Sequence, residues 1–246
     1  MIGVILAAGD GTRLTKSTGQ NICKPLRIIK EKPLLTFSLD NLVELDVTEV
    51  YIVVGKQGDL IKEAFGNEYK GLNVHYVYQQ EQKGLMNAFV EALKVMDCDE
   101  TVVLQLSDEI FIDLKTDSIK KAIDNNEFDF YCGITYEEDA EKIKNNFSVE
   151  ADDDSVLIKC IEKPQVVNNN IKGTGFTIFS DKTLEIIKSH TELKDLCDLF
   201  NYLTENAFRG LALTIAKKEF NINTVEDLIK KTEDDMLNTI DFINSF

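Results

Sequence analysis

Short runs of consecutive apolar residues alternate with segments of helical periodicity along the first half of the chain. Strands that are buried on both faces carry such runs, and the helices between them make parallel crossovers. The alternation therefore predicts an α/β fold with a mostly parallel sheet. The predicted strands are Ile2–Ala7, Val50–Val54, Val74–Tyr78 and Thr101–Leu106, and the predicted helices are Pro33–Leu45, Asp59–Phe65, Leu85–Val95 and Leu114–Ile123.

The pattern changes after Asp129, where strand-like stretches are separated by acidic and asparagine-rich loops. We interpret residues 129–246 as a mixed-sheet half that shares a core with residues 1–128, so that residues 1–246 form a single domain. The strands predicted in this half are Phe130–Tyr136, Val156–Ile161, Gly175–Phe179 and Leu211–Ala216, and the helices are Lys182–Ser189, Leu196–Asn206 and Thr224–Ile243.

The charge of the chain is unevenly distributed. The net charge of −16 argues against a nucleic-acid partner. Residues 1–33 nevertheless carry six cations and two anions, a local charge of +4, so that the rest of the chain carries −20. A basic loop on an acidic protein suits a small polyanion such as a nucleoside triphosphate. A solvated basic face is the alternative that charge alone leaves open.

Cysteine usage and hydropathy predict a cytoplasmic protein without a membrane partner. No apolar run approaches the roughly 18 residues that a membrane span needs, and Met1 leads directly into the first predicted strand without a signal-peptide pattern. The five cysteines are scattered, odd in number and free of C-x-x-C pairs, as expected for small core residues in a reducing compartment. They are Cys23, Cys98, Cys132, Cys160 and Cys197.

A glycine-bearing loop follows the first predicted strand and leads to two spaced cations. Gly9 and Gly11 would let backbone N–H groups approach an anion. Arg13 supplies a planar fork of donors and Lys24 a mobile point charge, a pairing suited to phosphate oxygens. The loop is neither a Walker A loop nor a G-x-G-x-x-G motif. An ordinary turn after a strand is the alternative.

The run Leu6–Leu14, L-A-A-G-D-G-T-R-L, together with Lys24 resembles the L-A-[AG]-G-x-G-T-R-L signature and following lysine of the sugar-phosphate nucleotidylyltransferases. The motifs are most similar to those of the glucose-1-phosphate thymidylyltransferase and UTP-glucose-1-phosphate uridylyltransferase types. The resemblance implies a Rossmann-like three-layer nucleotidyltransferase fold with a mostly parallel mixed central sheet. Residues 1–128 would form the nucleotide-binding half, and residues 129–246 the acceptor-binding half and C-terminal helix.

The same resemblance implies a nucleotide site. Arg13 and Lys24 would be catalytic, with Arg13 on the leaving phosphates and Lys24 bridging the α-phosphate and the acceptor. Gln79–Phe89, Q-Q-E-Q-K-G-L-M-N-A-F, resembles the thymidylyltransferase motif Q-x-x-x-x-G-L-A-x-A, in which Gln79 and Gly84 would read a pyrimidine edge. A solvated glutamine and a helix entry are the alternatives. The loop residues implied to bind nucleotide are Leu6, Ala7, Ala8, Gly9, Gly11 and Thr12.

Two segments suggest magnesium ligands. Leu104–Phe111, L-Q-L-S-D-E-I-F, is similar to the family motif L-x-L-G-D-N-I-F, which implies that Asp108 ligates Mg²⁺. The alternative is that Asp108 caps the following turn. A closing segment similar to I-[DN]-[ST]-x-[EQ]-D implies Asn223 as a second ligand, and its alternative is a capping box with Glu226.

Two further segments suggest the acceptor site. Cys160–Pro164 matches the family motif I-x-E-K-P, which implies that Glu162 binds the acceptor's hydroxyls and Lys163 its phosphate. Asn170–Phe179, N-I-K-G-T-G-F-T-I-F, is close to N-x-A-x-T-G-x-Y-x-F, which implies that Thr174 and Gly175 line the sugar pocket. A surface turn is the alternative for Glu-Lys-Pro alone.

The resemblance as a whole implies Mg²⁺-dependent transfer of a nucleotidyl group from an NTP, with dTTP or UTP favoured, to a sugar-1-phosphate, giving NDP-sugar and pyrophosphate. The expected partners are these two substrates and, as a possible homo-oligomer, further copies of the chain. A cytidylyltransferase for a small phosphorylated alcohol such as choline phosphate is an alternative. A non-catalytic nucleotide-binding homologue is another, because Ser107 and Ser148 replace family glycines and the Arg13–Lys24 spacing is one residue longer than usual.

Overall fold

The structure of the protein, a computed structural model, describes residues 1–9, 23–81, 83–96 and 99–222. Several predictions from the sequence therefore lie outside the described residues. They concern Gly11, Thr12, Arg13, Cys98, Asn223 and the helix Thr224–Ile243.

In the described ranges the strands are, in chain order, β1 (Ile2–Ala7), β2 (Ile28–Ile29), β3 (Lys32–Pro33), β4 (Glu49–Val54), β5 (Glu68–Tyr69), β6 (Leu72–Tyr78), β7 (Val102–Leu106), β8 (Glu109–Ile112), β9 (Phe130–Tyr136), β10 (Phe147–Ala151), β11 (Leu157–Glu162), β12 (Ile171–Phe179), β13 (Gly210–Thr214) and β14 (Lys218–Asn221). The helices are α1 (Leu34–Glu44), α2 (Gly58–Phe65), α3 (Leu85–Leu93), α4 (Thr116–Asn125), α5 (Ala140–Lys144), α6 (Asp181–Ser189) and α7 (Leu196–Glu205). Lys24–Leu26 form a single 3₁₀ turn.

The large sheet has a parallel centre that continues into an antiparallel region. Its strand order is β11-β10-β12-β7-β1-β4-β6-β5, and β9 pairs with both β12 and β13. Strands β7, β1, β4 and β6 run parallel to one another, whereas β12 joins β7 in antiparallel orientation. The predicted α/β class with a mostly parallel mixed central sheet is confirmed.

Apolar clusters cover both faces of this sheet. One cluster packs α3, α6 and α7 against the sheet, with Phe89, Leu184 and Phe200 fully buried. The other packs α1, α2 and α4 against the opposite face, where Leu39 and Ile61 are buried. The sheet therefore lies between two helical layers, which is the predicted three-layer arrangement.

A small second sheet, formed by β8 and β14, was not predicted from the sequence. The two strands are antiparallel, with Glu109 opposite Asn221. Where β14 ends, the N–H of Ile222 donates to the carbonyl of Asp108 at 2.9 Å. The strands have only four residues each, too few to produce a clear alternation of apolar and polar residues. This sheet fixes the turn between β7 and β8.

Strands β10 and β12 also correct the sequence analysis. The strand predicted to begin at Gly175 begins at Ile171, and β10 was not predicted as a strand. Both corrections arise from buried polar side chains, since Lys172 and Thr174 lie inside β12 and Ser148 lies inside β10. Polar residues interrupt an apolar pattern even where tertiary contacts satisfy them.

The expectation that the cysteines are core residues is confirmed for those that the structure describes. Cys23, Cys132, Cys160 and Cys197 are buried free thiols. Burial raises the pKa of Cys160 well above its ordinary value, and a hydrogen bond to Cys160 raises the pKa of Cys197. The thiols of Cys160 and Cys197 therefore remain protonated. Within the described ranges, no helix is both long enough and apolar enough to cross a membrane.

The aromatic cluster around Phe200 provides a test of the core. The Phe200 ring stacks on that of Phe130, with centroids 5.6 Å apart, and it also lies near Phe179. Because the side chain is fully buried, Phe200→Ala should lower the free energy of unfolding by about 3–5 kcal/mol in urea denaturation. Ile158→Ala on the exposed face of β11 is the control and should change it by less than about 0.5 kcal/mol. Equal effects of the two variants would contradict the cluster's role.

Candidate functional site

The carboxyl ends of the four parallel strands meet at one edge of the sheet. Ala7 is opposite Val54, and Val54 is opposite Tyr78. On the other side of β1, the N–H of Ser107 donates to the carbonyl of Leu6 at 3.1 Å. The segments that follow these strands therefore lie side by side. Ligands of open α/β sheets bind at this edge.

The start of the glycine-bearing loop is at this edge. Leu6, Ala7 and Ala8 are buried, and Gly9 is exposed. A Cβ atom added to Gly55 after β4 would lie 2.7 Å from the carbonyl oxygen of Ala8. Only glycine permits this approach of the two segments. The remaining predicted loop residues follow Gly9 and lie outside the described ranges.

The structure brings Lys24 and Asp108 together. The Lys24 Nζ atom lies 2.5 Å from Oδ2 of Asp108, and the two side chains are 12% and 22% exposed. Lys24 opens the 3₁₀ turn, which a hydrogen bond from the Leu26 N–H to the Cys23 carbonyl closes at 3.1 Å. Ammonium–carboxylate hydrogen bonds are stronger than neutral ones. Lys24 and Asp108, which are 84 positions apart in the chain, therefore form an ion pair.

The carboxylate of Asp108 points to Lys24. Among the described residues, it accepts no hydrogen bond from the backbone of its own turn, which is the bond that the capping alternative needs. No group of three or more His, Cys, Asp or Glu in the described part of the chain is arranged to hold a metal ion. Mg²⁺ commonly uses one or two carboxylates with substrate phosphates and water. A single carboxylate at a strand end fits that chemistry.

Gln79 and Gly84, which the thymidylyltransferase-like motif pairs, contact each other. The Gln79 Nε2 atom donates to the Gly84 carbonyl at 3.4 Å and to Oδ1 of Asn87 at 2.9 Å. Gly84 precedes α3 with a φ of +103°, a backbone conformation that favours glycine. These bonds use the amide nitrogen of Gln79.

Glu162 and Lys163 lie at the end of β11, and both are exposed. The Lys163 Nζ atom lies 3.1 Å from Oε1 of Glu162, and its side chain is 62% exposed. Lys163 has a φ of +45°, which is uncommon for a residue with a side chain. Its N–H donates to the Asn146 carbonyl at 2.8 Å, so its backbone is fixed.

Thr174 and Gly175 are buried in β12, and the protein itself satisfies their polar groups. The Thr174 hydroxyl donates to the Gly133 carbonyl at 2.9 Å. The N–H of Gly175 donates to both carboxylate oxygens of Glu109, at 2.8 and 3.0 Å. Both residues are therefore buried rather than on an exposed surface, and Gly175 contacts the segment that carries Asp108.

A buried group of charges next to Asp108 was missed from the sequence. Lys172 of β12 forms an ion pair with Glu219 of β14, and Glu109 of β8 lies nearby. Burial, together with the carboxylates of Glu219 and Asp108, raises the pKa of Glu109 well above its usual range. The sequence signal was available, because Glu109 and Lys172 replace Asn and Ala of the motifs given above.

The strand register connects the two groups of predicted residues. Glu162 is opposite Phe147, and a Cβ atom added to Gly173 would overlap the Phe147 ring. Two residues further along β12, Gly175 contacts Glu109, the neighbour of Asp108. The acceptor-like residues and the Lys24–Asp108 pair thus border the same edge of the sheet.

Comparisons with known proteins bear on the family of the chain. The model of the nucleotidyl transferase family matches residues 2–237. A UTP–glucose-1-phosphate uridylyltransferase of Haloferax volcanii is 33% identical over 73% of this chain and 72% of its own length. A D-glycero-α-D-manno-heptose 1-phosphate guanylyltransferase of Campylobacter jejuni is 29% identical over 75% of this chain and 80% of its own length.

A solved structure agrees with the fold. The crystal structure of a UDP-glucose pyrophosphorylase complexed with UDP-glucose superposes with a TM-score of 0.80 at 19% sequence identity, and the match covers 96% of this chain and 98% of that one. This similarity concerns the fold alone. With the family model matching nearly the whole chain, the protein belongs to the nucleotidyl transferase family and is a nucleotidyltransferase.

Proposed function

We propose that the protein transfers a nucleotidyl group from dTTP or UTP to a sugar-1-phosphate, giving an NDP-sugar and pyrophosphate. The observation that carries the proposal is the contact between Glu109 and the N–H of Gly175. This contact joins the turn that carries Asp108 to β12, whose sequence resembles the family motif that lines the sugar pocket. A reaction between two phosphates needs a nucleotide site and an acceptor site at one edge.

In this reaction no side chain of the protein has to act as a nucleophile, because the acceptor phosphate is already ionised. The residues align the two phosphates and neutralise the charge that gathers at the α-phosphorus. Lys24 holds the α-phosphate and the approaching acceptor oxygen. Arg13 and the loop Ala8–Thr12 hold the leaving phosphates, as the loop motif implies. The α-phosphate and the leaving pyrophosphate then each have a cation.

Asp108, with Asn223 as its proposed companion, would hold Mg²⁺. Mg²⁺ supplies charge neutralisation to the phosphate oxygens when it is bound. The observed Lys24–Asp108 contact supports this assignment, because it places the carboxylate next to the cation assigned to the α-phosphate.

The acceptor is held from the other side of the edge. Lys163 binds its phosphate, and Glu162 accepts hydrogen bonds from its hydroxyl groups. Two observations support this assignment. The Lys163 side chain is exposed, so its ammonium is accessible, and a hydrogen bond to the Asn146 carbonyl holds its backbone in place. Thr174 and Gly175 form a buried wall of the pocket. Their polar groups are bonded within the protein, so they contribute shape rather than hydrogen bonds to the acceptor.

Gln79 would select the base. Its amide oxygen can accept from the imide N–H of thymine or uracil while its amide nitrogen stays bonded to Asn87. A pyrophosphate-release screen of four NTPs against sugar-1-phosphates and phosphocholine tests the proposal. Release with dTTP or UTP and a sugar-1-phosphate supports it, whereas selective use of CTP with phosphocholine identifies the cytidylyltransferase alternative. No release with any pair supports the non-catalytic homologue.

Asp108 gives the first prediction for this site. Asp108→Asn should lower turnover by at least about 10²-fold, because charge neutralisation at the phosphates is lost. Its thermal midpoint should change little, since the ion pair with Lys24 is partly exposed and the substitution keeps the shape. Asp113→Asn is the matched control, because Asp113 also lies near a lysine but follows β8 at the surface. A large loss of stability with retained turnover would favour a structural role.

The second prediction concerns the base. Gln79→Ala should reduce the preference for pyrimidine over purine triphosphates, mainly through nucleotide affinity measured by calorimetry. Gln80→Ala is the control, because this neighbouring side chain is exposed. Equal use of purines and pyrimidines by the unmodified enzyme would rule out the assignment of Gln79.

The third prediction separates the two lysines. Lys163→Gly should raise the acceptor KM strongly with a smaller effect on kcat, because the phosphate that Lys163 binds is charged before and during reaction. Glycine adopts the φ of +45° without strain, so the variant should keep its stability. Lys24→Met should instead lower kcat.

Lys159→Ala on the exposed face of β11 is the control for the Lys163 variant and should leave both constants unchanged. Steady-state kinetics with each substrate varied in turn measures these effects. If Lys163→Gly leaves acceptor kinetics unaltered, the Glu162-Lys163-Pro164 segment is a surface turn.

A further inference from the structure

Two side-chain bridges connect the small sheet of β8 and β14 to strand β12. The first runs from Glu109 of β8 to the N–H of Gly175. The second is the ion pair between Lys172 of β12 and Oε2 of Glu219 on β14. The Lys172 and Glu219 side chains are only 4% and 1% exposed, so this pair is removed from water.

Stability alone is a weak explanation for such a pair. Desolvation of two charges offsets most of their attraction, and apolar residues of similar volume often stabilise a core equally well. The other carboxylate oxygen of Glu219, Oε1, is buried without a hydrogen-bond partner in the described structure, which adds to the cost. A role in fixing the distance between β12 and β14 accounts for a buried ion pair between these two strands.

The pair lies on one of the paths between the two proposed substrate sites. On one side, Lys172 is opposite Ser148 of β10, and the preceding residue Phe147 is opposite Glu162. On the other side, Glu219 belongs to β14, whose following residue Ile222 bonds to the Asp108 carbonyl. The ion pair is therefore, beside the Glu109–Gly175 contact, a second link between the strands that carry the proposed acceptor residues and the turn that carries the proposed metal ligand.

We propose that the Lys172–Glu219 ion pair is a positioning element of the reaction, which sets the distance between the Asp108 turn and the acceptor strands. The inference rests on the proposed function, because both sites are assigned there. Displacement of a reacting group by about 1 Å can cost about 10²-fold in rate. Neither side chain touches substrate, and both act through the strands that they join.

A double variant separates positioning from stability. Lys172→Met or Glu219→Leu alone should lower the thermal midpoint by roughly 10 °C, because each leaves a buried charge without its partner. The double variant Lys172→Met/Glu219→Leu should recover most of that loss, since no buried charge is left unpaired between the two positions. Its kcat should nevertheless remain lower by about tenfold to a hundredfold.

A binding measurement provides a second readout that does not require turnover. Titration of Mg²⁺ in the presence of dTTP or UTP, followed by calorimetry, gives the Mg²⁺ concentration needed for half-maximal nucleotide binding. The double variant should need about tenfold more Mg²⁺ than the unmodified protein, as metal sites with disturbed supporting residues do. Nucleotide binding without metal should be unchanged.

The matched control is the surface ion pair between Glu91 of α3 and Lys94, the residue that follows this helix. Lys94→Met/Glu91→Leu should leave the thermal midpoint, kcat and Mg²⁺ requirement unaltered. Glu219→Asp keeps the charge but shortens the side chain by one methylene, and it covers the case in which the double variant does not fold. It should lower kcat by about tenfold while the thermal midpoint changes by only a few degrees.

The inference is overturned if the folded double variant has the kcat and Mg²⁺ requirement of the unmodified protein. If the double variant does not fold, the same result for a folded Glu219→Asp variant overturns it. The failure of the proposed function looks different, because the unmodified protein would then release no pyrophosphate with any substrate pair. In that case the Mg²⁺ requirement for nucleotide binding still decides whether the ion pair positions the Asp108 turn.

Discussion

The antiparallel pairing of β12 with β7 determines where the parts of the site meet. Thr177 is opposite Leu104, so the beginning of β12 lies beside the carboxyl end of β7. Because β7 is parallel to its other neighbour β1, that end also borders the glycine-bearing loop. One strand of reversed direction thus brings the second half of the chain to the edge where an open α/β sheet binds ligands.

The parallel core was predictable because its signal is local. The strand predicted as Ile2–Ala7 has those same bounds in the structure, since a strand buried on both faces needs apolar residues at consecutive positions. Strands β8 and β14 could not be predicted in this way. They are short, and what holds β14 in place includes a contact between residues 47 positions apart, Lys172 and Glu219. Periodicity carries no information about such contacts.

The sequence predicted which residues belong to the site but not how their side chains are oriented. A motif identifies residue types, and the strand pattern placed Asp108 at a strand end, as the structure has it. Neither states the direction of a side chain. Thr174 was predicted to line a pocket, and its hydroxyl bonds to the Gly133 carbonyl within the stretch of β12, between Gly173 and Thr177, where the strand register shifts. Such irregularities depend on the neighbouring strands rather than on the local sequence.

The contact between Lys24 and Asp108 has a thermodynamic consequence under the proposed function. An ammonium group and a divalent cation repel each other at one carboxylate, so free Mg²⁺ binds Asp108 against the positive charge of Lys24. A triphosphate offers oxygens to both cations at once and offsets that repulsion. The nucleotide then increases the affinity for the metal, and by linkage the metal increases the affinity for the nucleotide by the same factor. The Lys24–Asp108 pair therefore favours a metal–nucleotide chelate over either the free metal or the free nucleotide as the ligand of this site.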